Sequence, residues 1–159
     1  MRLITQNTDY AVRALLYMSK NKQQMVTAKQ LSKQLDVPWS FLRRILQQLK
    51  KEGIIHSTRG RGGGFKLNVS PESIYLIDLI TIFQGPVELN RCITAQKICS
   101  NIRTCPLRKK VRELEQHLVK LLKTITIQAL LEDNAEGSGA HNDEDHTDSF
   151  NNNNILRKG

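Results

Sequence analysis

Three cysteines, Cys92, Cys99 and Cys105, fall within fourteen residues of a 159-residue chain that has no others. Six residues separate the first two and five the second two. The odd count, and the lack of an apolar signal core in residues 1–6, argue against a disulfide framework and for free thiols in a reducing, cytoplasmic compartment. Three thiolates at such spacing on a loop can converge on one face of an iron–sulfur cluster. The same residues also suit a structural zinc ion completed by a fourth ligand such as His117, or a bare thiol redox switch. No close Cys-x-x-Cys pair is present, which weighs against zinc-ribbon geometry. His141 and His146 are a further metal-binding pair in principle, but polar tails commonly carry His and Asp without a ligand.

A second set of residues suits a polyanion. The formal charge is +9, and residues 1–70 carry 13 Lys/Arg against 3 Asp/Glu. The final 28 residues, 132–159, reverse the sign with 2 against 7. Phosphates are drawn to such a basic half by counterion release, although basicity alone does not prove nucleic-acid binding. Within it, Ser40, Arg43, Arg44, Gln47 and Gln48, followed by Lys50 and Lys51, offer donors suited to base edges and phosphates. Arg59 and Arg61 lie in the run Arg59-Gly60-Arg61-Gly62-Gly63-Gly64. Its glycines allow close backbone approach, and its arginines are cations that fit a minor groove. It is no nucleotide-binding P-loop, because no Lys-Ser or Lys-Thr follows the glycines and no helix begins there.

The elements that must hold these residues can be read from apolar spacing and caps. A first helix is expected from Thr8, as cap, to Lys20, with Tyr10, Ala11, Ala14, Leu15 and Met18 on one stripe. Thr27 and Gln30 form a capping box for a short second helix bearing Leu31 and Leu35. Asp36, Val37 and Pro38 break it, Pro38 opens a third helix over 39–52, and Gly53 closes that one. Leu42, Ile45, Leu46 and Leu49 face inward, leaving the donor row outside. Two short helices across a tight turn make a helix-turn-helix. The strand-like residues 54–58 and 65–68 around the glycine run add a β-hairpin wing.

A further helix is expected from a Ser70-Pro71-Glu72 start through Gln84, ended by Gly85-Pro86. From Leu107 the residues Val111, Leu114, Leu118, Leu121 and Ile125 follow in steps of four and three, a heptad seam suited to pairing with a second copy. The division is thus a winged helix-turn-helix domain at 1–85, a cysteine-bearing loop at 86–106, a dimerisation helix with a C-terminal helical segment at 107–132, and a disordered acidic and polar tail at 133–159. The fold class is mainly α with a small β-hairpin. No paired carboxylates, Ser/His/Asp set or cofactor fingerprint suggests an enzyme. No apolar run approaches the ~20 residues of a membrane span.

Together these motifs resemble the Rrf-type regulators, the bacterial family of IscR, NsrR and RirA. The resemblance covers roughly residues 1–132 and rests on Met1-Arg2-Leu3, on Thr8-Asp9-Tyr10-Ala11-Val12-Arg13-Ala14-Leu15, on the glycine-arginine run, on the cysteine triplet and on Thr124-Ile125-Thr126-Ile127. It implies a homodimeric regulator, a repressor or an activator, of the winged helix-turn-helix type on a double-stranded DNA operator. Ser40, Arg43, Arg44 and Gln47 would lie in the major groove, and Arg59 and Arg61 in the minor groove. Trp39 and Phe41 depart from the smaller residues more common there. The resemblance also implies an iron–sulfur cluster, a four-iron form preferred over a two-iron one, that senses nitric oxide, iron or redox state. Its ligands would be Cys92, Cys99 and Cys105 with a fourth group. In some members that group is a histidine three residues after the last cysteine, but Arg108 stands there and cannot ligate. In NsrR-like members an aspartate near the start of the first helix reaches from the partner subunit, and Asp9 occupies the matching place. A contact with RNA polymerase is left open. A reading from a different class, an iron–sulfur carrier or electron-transfer protein, fails to explain paired arginines in a wing beside a helix-turn-helix.

Overall fold

Gln84 decides where the first helix begins. In a computed structural model that describes residues 3–22, 24–89 and 104–136, with side chains to residue 133, helix α1 runs over Gln6–Lys20 and Thr5 is its cap residue. Thr8, expected as the cap, lies inside the helix with no exposed surface, and its hydroxyl donates to Gln84 Oε1 at 3.0 Å. The same oxygen accepts from the Thr5 amide at 2.9 Å, and Gln84 Nε2 donates to the Leu3 carbonyl at 2.8 Å. Of the expected stripe, Ala11, Ala14, Leu15 and Met18 are buried and Tyr10 is half-buried.

Helix α2, Ala28–Leu35, opens on the expected capping box, with the Gln30 amide donating to Thr27 Oγ1 at 3.2 Å and the Thr27 amide to Gln30 Oε1 at 2.8 Å. It stops at Asp36, which takes a left-handed φ of 50°, a conformation that Asp tolerates better than most residues. Helix α3, Trp39–Lys51, follows with Pro38 as cap residue rather than first helical residue. Leu42, Ile45, Leu46 and Leu49 are buried as their spacing requires. Gly53, at φ 72°, reverses the chain, and the Ile54 amide bonds back to the Leu49 carbonyl at 3.0 Å.

Strands β1, Ile55–Thr58, and β2, Gly64–Leu67, pair antiparallel with Ile55 opposite Leu67 and Thr58 opposite Gly64. Val26 adds a bridge to Phe65, with reciprocal amide–carbonyl bonds of 2.9 and 2.8 Å. A Cβ on Gly64 would stand 2.7 Å from the Val26 carbonyl oxygen, so this approach requires glycine.

The helix expected from Pro71 through Gln84 is two elements. A 3-10 turn covers Pro71–Ser73, and helix α4 covers Leu76–Gln84. Between them the Ile74 carbonyl accepts from the Ile127 amide, and the Leu76 amide donates to the Ile125 carbonyl, each at 2.9 Å. Those long-range bonds hold the intervening backbone extended. The last expected stretch, a pairing helix followed by a further helical segment, is α5, Pro106–Leu122, and α6, Ile127–Glu136. Ile125 therefore lies between helices, outside any continuous seam.

Among the described residues two apolar clusters hold this together. The larger joins α1, α2 and α3 with Ile55, Ile74, Leu79 and Ile127, so α6 returns against the N-terminal half. The smaller contains Leu76, Ile80 and Leu122, with Val12, Leu118 and Ile125 against it, and seats α5 on α4. Leu118 and Ile125 thus serve the chain's own packing, while Leu107, Leu114 and Leu121 remain 65%, 61% and 60% exposed. Their seven-residue spacing keeps these three leucines on one line along α5. Among the described residues no helix is long and apolar enough to cross a membrane.

Candidate nucleic-acid interface and cysteine site

Packing of one side of α3 into the core leaves Ser40, Arg43, Arg44 and Gln47 exposed on the other. At 3.6 residues per turn, Ser40, Arg44, Gln47 and Lys51 follow one line along the outward side, and Arg43 stands at its margin. The row offers hydroxyl, amide and guanidinium donors, which match the acceptor-rich edges of guanine and adenine in a major groove. Lys29 and Lys33, one turn apart on α2, are exposed beside it.

The hairpin is tied to the end of this helix. Asn68 Nδ2 donates to the Gly53 carbonyl at 2.9 Å, and the Asn68 amide donates to the Ile54 carbonyl at 2.9 Å. Lys50 Nζ donates to Ser57 Oγ at 2.8 Å, so this lysine braces the hairpin. Arg59 and Arg61 are exposed at the tip, where Gly60 and Gly62 take φ values of 98° and 79°. A wing anchored at its base carries its two cations at a fixed offset from α3.

Cys105 is the cap residue of α5 and is half-buried. It opens into a cleft of about 240 Å³ lined also by Glu88, Leu107, Arg108, Arg112 and Glu115. The Leu89 amide donates to Glu115 Oε1 at 2.8 Å, so the chain leaving α4 is pinned to α5. Cys92 and Cys99 lie outside the described residues, as do His141 and His146. Asp9 stands in the first turn of α1, and its Oδ2 is 2.9 Å from Arg13 Nε. Among the described residues no group of three or more His, Cys, Asp or Glu is gathered as a metal site. His117 lies twelve positions along the helix that Cys105 caps, roughly 18 Å away at 1.5 Å per residue. Ligands of one zinc ion lie within about 4 Å of one another. The zinc reading through His117 therefore fails within one chain.

The donor chemistry at the described positions fits a cluster. Cys105 brings to an open cleft a soft thiol donor of the kind that iron–sulfur clusters take, and Arg108, Arg112, Glu88 and Glu115 line the same cleft with balanced charge. The Asp9–Arg13 pair is partly exposed, with side-chain exposures of 42% and 58%. Such an i,i+4 pair contributes only about 0.3–0.5 kcal/mol, so its carboxylate is readily exchanged to a cation.

The sequence profile of the Rrf2 family, described as an iron-dependent transcriptional regulator, matches residues 4–133. The chain belongs to the Rrf2 family. It is 27% identical over 130 residues to the HTH-type transcriptional regulator NsrR of Halalkalibacterium halodurans, covering 80% of this chain and 89% of that protein. Its fold is similar to CymR, the global cysteine regulator of B. subtilis, with a TM-score of 0.69 at 18% identity, covering 84% of this chain and 98% of the other. It is similar to T. potens IscR to the same TM-score at 19% identity, covering 87% and 93%. This Rrf2-family chain is a DNA-binding transcriptional regulator of winged-helix fold, and its relatives are regulators rather than enzymes.

In this Rrf2-family fold, the structure brings Ser40, Arg43, Arg44 and Gln47 together on one exposed helix face. Arg59 and Arg61 share the hairpin tip. Among the described residues, which leave out Cys92 and Cys99, Asp9 and Cys105 belong to no group of three or more His, Cys, Asp or Glu placed to hold a metal. Sequence reasoning missed the bracing role of Lys50, since nothing in a basic run distinguishes the one lysine that meets a strand serine. Lys29 and Lys33 had a readable signal in their i,i+4 spacing on the first helix of the motif.

Proposed function

We propose that the chain acts as a homodimer that binds a double-stranded operator, with Ser40, Arg43, Arg44 and Gln47 in the major groove and Arg59 and Arg61 in the minor groove. The observation that carries this is the exposed donor row of α3 beside a glycine-arginine hairpin fastened to the end of the same helix. The exposed line of Leu107, Leu114 and Leu121 supports a second copy as the partner of α5. Two-fold pairing places two α3 helices on successive half-sites.

Operator affinity on this reading is set at the cysteine segment. Cys92, Cys99 and Cys105 would hold an iron–sulfur cluster, with Asp9 of the partner subunit as the fourth ligand. The cluster, when bound, supplies a centre whose charge and ligation change with iron, nitric oxide or oxidant. The remaining steps belong to the protein. Leu89 and Cys105 fix both ends of the cysteine segment to α5, and Leu118 and Leu122 seat α5 on α4. Gln84 at the end of α4 grips the start of α1, and α1 packs on α3. A displacement of the cysteine segment therefore reaches both the pairing helix and the reading helix through packed elements that bias one equilibrium.

A second reading, a thiol switch without metal, is favoured by the placement of Cys105 at the start of α5, where it is half-buried yet opens into a cleft that an oxidant can enter. The DNA assignment is tested with Arg44→Ala and Arg59→Ala on duplexes selected from a random pool by the wild-type protein. Arg44→Ala should weaken selected duplexes roughly 10- to 100-fold and relax preference at one position. Arg59→Ala should weaken all duplexes and lower the salt dependence by about one unit. Unchanged binding by both variants would contradict the assignment.

A further inference from the structure

The first turn of α3 carries two large apolar side chains that the core does not absorb. Trp39 is 47% exposed and Phe41 49% exposed, although both belong to a helix whose inward leucines and isoleucine are buried. Successive helical residues turn by about 100°, so the two rings stand on either side of Ser40, the outermost residue of that turn. Trp39 also walls a groove of about 480 Å³ with Ala28, Lys29, Ser32 and Lys33 of α2. Neither ring lies on α5, whose exposed leucines form a separate surface.

The N-terminal residues of a recognition helix meet base edges. What the major groove presents there is polar with one exception, the thymine C5-methyl group. We infer that Trp39 and Phe41 are specificity residues that each cover a thymine methyl, on the two sides of the base position met by Ser40. The inference rests on α3 being the helix that enters the major groove. On that footing, Ser40 and Arg44 select bases through donors, and the rings select thymine over cytosine through shape and desolvation. Burying one methyl is worth about a three- to fivefold gain in affinity.

The test uses the full chain and a duplex selected from a random pool, in which each thymine is replaced in turn by deoxyuridine. The replacement removes only the methyl, so no protein variant need fold. Wild-type protein should lose about three- to fivefold at two thymines per half-site. Trp39→Ala should erase the thymine–uracil difference at one of them and Phe41→Ala at the other, leaving the remaining difference intact. Wild-type binding indifferent to every thymine-to-uracil replacement overturns the inference. So do variants that lose affinity equally on both duplexes, the outcome expected if the rings lie against the sugar–phosphate wall. Arg44→Ala and Arg59→Ala separate the two levels. If they weaken binding while uracil is silent, the methyl reading alone fails, and if they bind as wild type, the placement of α3 in the groove fails with it.

Discussion

The buried hydroxyl of Thr8 donates to Gln84 Oε1 at 3.0 Å across 76 residues of sequence, joining the start of α1 to the end of α4. Gln84 also closes on the Thr5 amide and the Leu3 carbonyl, so one side-chain amide satisfies three groups from the N-terminal segment. Gln84→Ala removes those partners and leaves the Thr8 hydroxyl buried beside only Thr5 Oγ1. The variant should be less stable by about 1–3 kcal/mol in urea unfolding, the cost of buried polar groups losing their partners. Unaltered stability would show that these bonds contribute nothing net.

Gly64→Ala should detach the hairpin from Val26. The added methyl would meet the Val26 carbonyl oxygen at 2.7 Å and its carbon at 2.9 Å, both backbone atoms that cannot swing aside. A loss of roughly 1–3 kcal/mol is expected from overpacking. Amide exchange should quicken at Val26 and Phe65, whose reciprocal bonds depend on the close approach. Unchanged exchange would contradict this account of the glycine.

Leu107→Glu with Leu114→Glu should yield a folded monomer by sedimentation. Both leucines are more than half exposed and lie outside the two apolar clusters, so the helix itself tolerates the change. In a two-fold dimer each substitution counts twice, and each lost leucine burial is worth about 1.5–3 kcal/mol. A dimer unaffected by both changes would exclude this line of α5 as the pairing surface.

Much of the DNA-binding half is legible from local pattern. The Thr27–Gln30 capping box, the buried quartet on α3, the Gly53 stop and the two-stranded hairpin each depend on residues within a few positions of one another. Thr8 misleads as a cap because its hydroxyl is taken by Gln84, far away in sequence. The extended backbone at Ile74 and Tyr75 is likewise set by residues 125–127, and no local feature forbids a continuous helix there. Heptad spacing identified Leu107, Leu114 and Leu121, but it could not separate them from Leu118, which turns inward onto α4. For the candidate site, side-chain type and helical period put the donor row on the exposed side of α3, where it stands. A ligand set completed by a second subunit would have no local spacing to read, and Asp9 is proposed only from resemblance.

Cys105→Ser should retain the winged-helix fold, since Cys105 is outside both apolar clusters and its side chain makes no capping bond. On the cluster reading the variant should purify anaerobically with little iron or sulfide and should bind selected duplexes with one unresponsive affinity. Full wild-type iron and sulfide in this variant would remove Cys105 from the ligand set.

The most direct measurement is made on a single anaerobic preparation of the wild-type chain: iron, acid-labile sulfide and zinc content, followed by affinity for a selected duplex before and after iron removal. Iron and sulfide should be present together with little zinc, and affinity should change by about tenfold or more when the iron is removed. Iron and sulfide absent after attempted reconstitution, or an affinity indifferent to their removal, would contradict control of operator binding by a cluster at Cys92, Cys99 and Cys105.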